Sequence, residues 1–274
     1  MRMASVPSRA ATLAAKLALL PLLIAQGRRV RATALKLPEA AGERHGVAGR
    51  GPVALRVLIV GDSSAAGVGV GTQDEALAGQ LARALAERTG AAVGWQLVAS
   101  SGHTAGDAAR ALAGATLARA DLLVTALGVN DVVGQTRPAR FLAALDEIHA
   151  LAVSRAQVTQ TWHCGLPPMG TMPLLPRPLR WILGRDAAHL DHALMRHLEG
   201  RTIRLHLPLP EAPRSPGQHD ATPDGWMARD GFHPGWSGYR QWGRQVAEAI
   251  GQRATSSSGI DPACPARAVP RSRR

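Results

Sequence analysis

The sequence predicts an α/β domain built on a parallel sheet. Between residues 54 and 250, short apolar runs alternate with longer amphipathic segments, a pattern typical of strands joined by crossover helices. The first run, Leu55–Val60, is apolar apart from Arg56 and ends at Gly61, as expected of a strand buried on both faces. With 274 residues, 46% of them hydrophobic, the chain is long enough for one such domain flanked by tails.

The predicted elements follow one another in a regular order. Five strand-like segments are expected to form strands: Leu55–Val60, Val93–Val98, Leu122–Leu127, Val158–Cys164 and Ile203–Leu207. Five helices are expected between and after them: Gln73–Arg88, Ala105–Leu117, Pro138–Ala152, Leu179–Leu198 and Trp236–Ile250. In the first of these helices, apolar residues recur every three or four positions and Gly90 ends it. Because ligands of open α/β sheets bind beyond the carboxyl ends of the strands, residues that follow the strands are candidates for a functional site.

An apolar and basic segment, residues 1–36, precedes the domain. Its apolar stretch at 11–26 is shorter than the ~20 residues of a spanning helix and contains Lys16 and Pro21. An interfacial helix on an anionic membrane surface is favoured, because arginines flank four apolar residues that share one helical face, namely Leu13, Leu17, Leu20 and Ile24. The expected localisation is therefore membrane-associated. Two alternatives remain: a signal cleaved near Ala34, which implies secretion or a periplasmic location, and a helix docked on the domain.

The formal net charge of +12 resides in the ends of the chain. Residues 1–50 hold nine basic residues against two acidic ones, and residues 251–274 hold five against one. The part between is nearly neutral and shows no basic stripe with interleaved aromatic residues, so no nucleic-acid partner is expected. Residues 37–53 are predicted to be a Gly/Pro-rich linker, and 251–274 a disordered tail.

Cysteine and histidine spacing does not indicate a metal. Cys164 ends an apolar run and Cys264 lies in the tail, without a CxxC pair, so neither a disulfide framework nor a cysteine metal site is expected. His189, His192 and His197 lack an HExxH pattern or a clear third ligand. We expect no metal and no other cofactor, and the sequence leaves the oligomeric state open.

Four short blocks contain the residue types that acyl-transfer chemistry uses. LIVGDSSAAGVG at 58–69 places Ser63 after the first strand, where a following helix would direct its N-terminal N–H groups at developing negative charge. SSGHTAGD at 100–107 contains Gly102, LGVNDV at 127–132 contains Asn130, and DGFHPG at 230–235 contains Asp230 and His233. A serine needs a base to accept its proton, and a carboxylate in the same loop can orient that base.

Each block also has a simpler interpretation. Ser63 could cap a helix or form a turn, Asn130 could cap a helix, and Asp131 is more plausibly structural. The D-x-x-H pattern occurs three times, but Asp146/His149 and Asp186/His189 lie in predicted helices, where the spacing arises on a solvated face. Asp230/His233 differs because a long loop, 209–229, precedes it and Pro234 follows it.

Taken together and in this order, the four blocks resemble the SGNH (GDSL-like) hydrolase superfamily. The resemblance implies a flavodoxin-like three-layer α/β/α domain at 54–250 and an ester hydrolase that needs no metal. It implies Ser63 as nucleophile, His233 as base oriented by Asp230, and an oxyanion hole of the Ser63 N–H, the Gly102 N–H and the Asn130 side chain. Two features depart from the family pattern: the first block reads GDSS instead of GDSL, and the second lacks the asparagine often found ahead of the glycine, so the support of that loop is not identified.

The substrate prediction depends on one apolar stretch. Residues 165–181 are rich in proline and apolar residues, and they could form a pocket wall containing Met169, Met172 and Leu174. Such a wall favours acyl esters or lysolipid-like substrates. A rigid loop packed on the sheet is the simpler alternative, and a carbohydrate O-acetylesterase, a thioesterase or a non-catalytic membrane-tethered binding domain remain alternative functions.

Overall fold

A six-stranded sheet forms the centre of the molecule, with strand order β1-β3-β2-β4-β5-β6. The computed structural model describes residues 9–211 and 225–258, with side chains from 14 to 211 and from 225 to 253. The strands are β1 (His45–Ala48), β2 (Val53–Gly61), β3 (Ala92–Ala99), β4 (Leu122–Ala126), β5 (Gln160–Cys164) and β6 (Arg204–Leu207). All neighbouring pairs are parallel except β1 with β3, which are antiparallel.

Helices cover both faces of the sheet. They are α1 (Arg9–Ala18), α2 (Leu20–Thr33), α3 (Leu77–Thr89), α4 (Ala105–Gly114), α5 (Val129–Val133), α6 (Pro138–Ala156), α7 (Leu179–Leu198) and α8 (Trp236–Ser258). Alternate residues of β2 point to opposite sides: Leu58 and Val60 belong to the core under α4, α6 and α7, while Val57 and Ile59 belong to the core under α3 and α8. This arrangement is the predicted three-layer α/β/α fold with a mostly parallel sheet.

The structure corrects several predicted boundaries. Residues 37–53, predicted as linker, contain β1, a short edge strand in which exposed and half-buried residues alternate. The helix α3 begins at Leu77, four residues after the predicted start, and α8 continues through Ser258 into the predicted tail. The rest of that tail, 259–274, lies outside the described residues, as do 1–8 and most of the long loop, 212–224.

The N-terminal helices dock on the domain. Lys16 forms an ion pair of 2.7 Å with Asp186 of α7. The Gln26 side chain donates to the Arg177 carbonyl at 2.7 Å and accepts from the Leu179 N–H at 3.1 Å, where α7 begins. Leu23 and Val30 pack against the core on the same side. Residues 14–33 therefore contact the domain through these side chains.

Within the described parts of the chain, no helix is both long enough and apolar enough to span a membrane.

Candidate active site

Three parallel strands bring the first three blocks to one edge of the sheet. Gly61 at the end of β2 is in register with Ala99 at the end of β3 and with Ala126 at the end of β4. Ser63, Gly102 and Asn130 follow these residues by two, three and four positions. The carboxyl edge of the sheet therefore positions all three residues, as the alternation of elements predicted.

The fourth block completes a hydrogen-bonded chain of three side chains. The Ser63 hydroxyl lies 2.9 Å from His233 Nε2, although the two residues are 170 positions apart. On the other side of the ring, His233 Nδ1 lies 2.6 Å from Asp230 Oδ2. The close approach of the two loops depends on Gly69, at φ +110°, where a Cβ would lie 2.3 Å from the Pro234 carbonyl oxygen.

The Asp230 carboxylate is fixed by its own loop. Its Oδ1 accepts from the N–H groups of Phe232 at 3.0 Å and His233 at 3.1 Å, and its side chain is only 3% exposed. Burial alone would raise the pKa of Asp230, but the hydrogen bonds from the His233 ring and from the two N–H groups lower it below its usual value. The carboxylate is therefore ionised where it faces Nδ1, and this keeps the ring proton on Nδ1 and leaves Nε2 as an acceptor towards Ser63.

The residue before Ser63, Asp62, carries a second buried carboxylate. Asp62 is 2% exposed and its Oδ1 accepts from the Ser64 N–H at 2.9 Å. Burial raises the pKa of Asp62 to about 6, and the hydrogen bonds from Ser64 and the nearby His233 ring only partly oppose this effect. The Ser63 loop continues as turns without a helix, because α3 starts only at Leu77. The predicted contribution of a helix N-terminus beside Ser63 is therefore wrong.

The Gly102 and Asn130 loops are hydrogen-bonded to each other. Asn130 Nδ2 donates to the His103 carbonyl at 2.9 Å, and the Ala105 N–H donates to Asp131 Oδ2 at 2.9 Å. Asp131 is buried, which raises its pKa, and its contact with the first residue of α4 matches the structural role expected of it. Gly102 has a φ of +85°, and a Cβ there would meet no atom within 4 Å, so the loop tip is open.

The two other D-x-x-H pairs have different surroundings. Asp146 contacts His197 at 2.8 Å and the buried Arg204, while His149 Nδ1 bonds to Thr161 Oγ1 at 2.8 Å inside the domain. These groups are partly buried, which corrects the expectation of a solvated face; burial lowers the pKa of His149. Among the described residues, no three His, Cys, Asp or Glu side chains come together as a metal site.

The predicted pocket wall is only partly open to a substrate. Met169 and Met172 are 0% and 6% exposed and belong to the core packed against α7, so they do not line an accessible wall. They point inward because a 3-10 turn, Met169–Thr171, packs against that helix. Leu174 is half-buried and its N–H bonds to the Gly231 carbonyl at 3.3 Å, directly beside the catalytic-loop candidate.

Sequence reasoning missed one residue that contacts the site. Glu39, in the predicted linker, accepts from the Ser101 N–H at 2.6 Å, immediately before Gly102. No motif surrounds Glu39, and the contact spans 62 positions. The only signal in the sequence was negative: the second block lacks the asparagine often found ahead of the glycine.

The arrangement of fold and side chains defines a class of enzyme. A hydroxyl bonded to an imidazole, which is bonded in turn to a carboxylate, can supply an oxygen nucleophile for acyl transfer. At the carboxyl edge of an α/β/α sheet, this is the constellation of an ester-hydrolysing enzyme. The model of the GDSL-like lipase/acylhydrolase family matches residues 59–241, and the chain belongs to that family.

Solved structures of esterases and lipases share the fold. The lipase Lip_vut3 from a goat rumen metagenome is 14% identical with a TM-score of 0.55, and the alignment covers 71% of this chain and 97% of that one. A family 3 carbohydrate esterase from Clostridium thermocellum is 15% identical with a TM-score of 0.52 (73% and 98% covered). The psychrotrophic esterase EstA from a Pseudoalteromonas species is 17% identical with a TM-score of 0.50 (73% and 98% covered). Comparison with curated protein sequences gives no significant match.

Proposed function

We propose that the protein is a serine esterase that cleaves acyl esters of lipid-like substrates through Ser63, His233 and Asp230. The observation that carries this proposal is the continuous chain from Ser63 Oγ to His233 Nε2 (2.9 Å) and from His233 Nδ1 to Asp230 Oδ2 (2.6 Å). Both distances are short enough for proton transfer from the hydroxyl to a ring that the carboxylate holds in one tautomer.

In the proposed reaction, Ser63 Oγ attacks the acyl carbonyl while His233 Nε2 takes the serine proton. The ester C–O bond then breaks, and Nε2 returns the proton to the departing alcohol. Water repeats the sequence on the acyl-enzyme, which releases the acid and restores the hydroxyl. The N–H groups of Ser63 and Gly102 and the Asn130 amide stabilise the oxyanion; Asn130 uses one amide hydrogen on the His103 carbonyl and has a second for the substrate.

The test of this proposal is covalent labelling combined with kinetics. A fluorophosphonate probe should label the wild-type protein, and Ser63→Ala should abolish labelling and lower ester hydrolysis by ~10⁴-fold or more. Ser64→Ala is the matched control, since Ser64 is the neighbouring hydroxyl, and it should retain both properties. Turnover and labelling that persist in Ser63→Ala would overturn the assignment of the nucleophile.

The surroundings of His233 favour an apolar acyl group. The Phe232 ring meets the His233 ring edge-on with centroids 5.1 Å apart, and it packs partly against the core. Leu174 lies on the neighbouring loop, bonded to Gly231. These side chains offer carbon surface beside the reacting atoms, whereas an acetylated sugar would need hydroxyl partners. The fold shared with a carbohydrate esterase makes a carbohydrate O-acetylester the second candidate.

A panel of esters separates the two substrate classes. Nitrophenyl esters of increasing acyl length, a lysophospholipid, an acyl thioester and an acetylated oligosaccharide should be compared by kcat/KM. We expect longer acyl chains and the lysophospholipid to be preferred, and Leu174→Ser to reduce that preference while leaving acetyl ester turnover nearly unchanged. A preference for the acetylated oligosaccharide would favour the second candidate instead.

We further propose that α1 and α2 hold the enzyme on an anionic membrane surface. The face turned away from the domain carries Leu17, Leu20 and Ile24, which are 66%, 48% and 46% exposed. The same face continues into Arg28 and Arg31 at helical spacing, and both are exposed. Carbon surface followed by arginines suits the boundary between acyl chains and anionic headgroups. The expected localisation is peripheral membrane association, with cleavage near Ala34 as the alternative.

Point substitutions test the membrane proposal better than a truncation. Removing residues 1–36 would also remove the packing of Leu23 and Val30, so it would change the domain itself. The triple variant Leu17→Ser, Leu20→Ser, Ile24→Ser should lose binding to phosphatidylglycerol vesicles, and each of Arg28→Gln and Arg31→Gln should weaken binding roughly fivefold, as expected for ~1 kcal/mol per charge.

A matched control uses exposed apolar residues elsewhere. Val47, Val153 and Met195 are 61%, 41% and 47% exposed, and their replacement by serine should leave vesicle binding unchanged. Equal binding of the two triple variants would overturn the proposed surface. A native protein that begins near Leu35 would favour the cleaved signal.

A further inference from the structure

A carboxylate from outside the four blocks holds the loop that presents Gly102. Glu39 lies between α2 and β1, in a stretch that has no helix or strand of its own. Its Oε1 accepts from the Ser101 N–H at 2.6 Å, and its Oε2 contacts Arg44 Nη2 at 2.5 Å. Ser101 directly precedes Gly102, so this hydrogen bond fixes the peptide next to a proposed oxyanion donor.

The segment that carries Glu39 is anchored to the Ser63 loop. Ala40 is buried, and its N–H donates to the Ala66 carbonyl at 3.2 Å. Gln73 Nε2 donates to the carbonyls of Ala40 at 3.0 Å and Ala66 at 3.1 Å, and thus ties the two chains together. Ala41 continues the contact by donating to the Gly71 carbonyl at 2.9 Å. Glu39 therefore extends from a backbone segment that is hydrogen-bonded to the Ser63 loop.

The second oxygen of the Glu39 carboxylate contacts Arg44, which is itself bonded to the sheet. Arg44 pairs with Glu39, while the Arg44 carbonyl accepts from the Leu97 N–H of β3 at 2.7 Å. Burial would raise the pKa of Glu39, but the hydrogen bonds from Ser101 and Arg44 and the Arg44 charge lower it. Glu39 is thus ionised at neutral pH, and a charged acceptor holds an N–H more strongly than a neutral one.

The Gly102 loop has little else to orient it on this side. A Cβ on Gly102 would meet nothing within 4 Å, so packing does not hold the tip. The far side of the loop is tied to Asn130 and Asp131, through the His103 carbonyl and the Ala105 N–H. The near side is tied to Glu39. An oxyanion donor must lie within a few tenths of an ångström of its ideal position, because a displacement of ~1 Å can cost ~10² in rate.

We propose that Glu39 is a positioning residue for ester hydrolysis, which sets the distance between the Ser63 and Gly102 loops by holding the Ser101 N–H. This inference rests on the proposed function of Ser63. It assigns to Glu39 a support for the loop of the second block, which lacks the asparagine often found ahead of the glycine. Glu39 acts through Ser101 and Gly102, so its effect falls on the transition state and not on substrate affinity.

The test compares two substitutions of Glu39 on the full chain. Glu39→Ala removes the acceptor and should lower kcat for a soluble short-chain ester by roughly 10- to 100-fold, less than the ~10²–10³ for outright removal of an oxyanion donor. KM should change by less than about threefold, because a group that acts only in the transition state leaves ground-state binding alone. Glu39→Gln keeps one acceptor oxygen but turns its NH₂ group towards either the Ser101 N–H or Arg44, which both donate, so it should recover only part of the lost kcat.

Asp121→Ala provides the matched control. Asp121 Oδ2 accepts from the Arg56 N–H at 2.8 Å near the opposite end of β2, so this variant also removes a carboxylate that holds a backbone N–H. It should leave kcat within about threefold of wild type, even where its melting temperature falls as far as that of Glu39→Ala. Kinetics are measured well below both melting temperatures.

A double variant adds a readout that a purely structural role would not change. Glu39→Ala and Asn130→Ala act on the same oxyanion. The fold-loss of kcat in the double variant should therefore be smaller than the product of the two single fold-losses. Equal kcat for Glu39→Ala and Asp121→Ala, or independent effects with Asn130→Ala, would overturn the inference. If Ser63→Ala remained active, the proposed function itself would fail; if Ser63→Ala were inactive and Glu39→Ala unimpaired, only the role of Glu39 would fail.

Discussion

Replacing Asp230 by asparagine should invert the hydrogen bonding of His233 while leaving its position unchanged. In the wild type, Asp230 Oδ1 accepts from the N–H groups of Phe232 and His233, and Oδ2 faces His233 Nδ1 at 2.6 Å. In Asp230→Asn, the two backbone donors select the amide oxygen, so the NH₂ group must face Nδ1. The ring proton then moves to Nε2 and points at Ser63. Nε2 can therefore no longer accept the serine proton.

The expected loss is large because the whole base function disappears at once. A triad with this tautomer error loses ~10⁴ in kcat, which corresponds to ~5.5 kcal/mol of transition-state stabilisation. Stability should change little, since the asparagine keeps a side-chain oxygen that accepts from both backbone N–H groups. Asp230→Ala loses that acceptor and should unfold more easily, yet the His233 ring in this variant is free to choose either tautomer. We therefore expect Asp230→Asn to be the more stable variant and no more active than Asp230→Ala.

The assay is steady-state hydrolysis of a nitrophenyl ester, together with thermal unfolding of each variant. Asp186→Asn is the matched control, because it makes the same charge change in the second D-x-x-H pair, where Asp186 binds Lys16. It should retain nearly full kcat. An Asp230→Asn protein that keeps more than about a tenth of wild-type kcat would refute the tautomer argument, since it would still contain a working base.

Two further predictions follow from the same geometry. Asn130→Ala should lower kcat by ~10²–10³-fold with little change in KM, and an equal loss in kcat and rise in KM would contradict an oxyanion role. Asp62→Asn should alter how stability depends on pH, because the pKa of Asp62 is raised from 3.8 to about 6. Asp62 ionises above about pH 3.8 in the unfolded chain but only above about pH 6 in the folded protein. Its ionisation therefore destabilises the wild-type fold increasingly as the pH rises through this range, by about 3 kcal/mol in total. Relative to wild type, the variant should therefore gain most of that amount between pH 4 and pH 8 in urea unfolding, and a stability difference that does not change with pH would contradict the buried charge.

The central strands and long helices could be predicted from sequence because their signals are local. Leu122–Ala126 is apolar apart from Thr125 and wholly buried, and Leu179–Leu198 has the predicted bounds. The strand β1 could not be predicted, since His45–Ala48 has no apolar run and becomes a strand only through its antiparallel pairing with β3. The five-residue helix α5 (Val129–Val133) was missed for a similar reason. It is too short for a helical period to appear.

The same distinction explains what could be predicted of the site. Ser63, Gly102 and Asn130 follow predicted strands, so fold and motif point to the same edge of the sheet. The choice of Asp230 over two other D-x-x-H aspartates depended on its loop context, and its short contact with His233 agrees with that choice. Met169 and Met172 were misplaced because an apolar loop has the same composition whether it lines a pocket or fills a core. Periodicity cannot separate these two cases when the stretch has no regular structure.

The contacts of Glu39 and β1 also move the start of the folded domain to an earlier residue than the sequence predicted. Sequence composition placed the start of the domain at residue 54, because the preceding stretch is rich in glycine and proline. However, Glu39 bonds to the Gly102 loop, Ala40 to the Ser63 loop, and Arg44 to β3. The loops at the carboxyl edge of a parallel sheet lie beyond the regular strand pairing, so any chain that crosses that edge contributes to holding their geometry. Here the crossing chain is the stretch from Glu39 to Arg44, and it contacts the proposed catalytic loops even though it contains none of the family's four blocks.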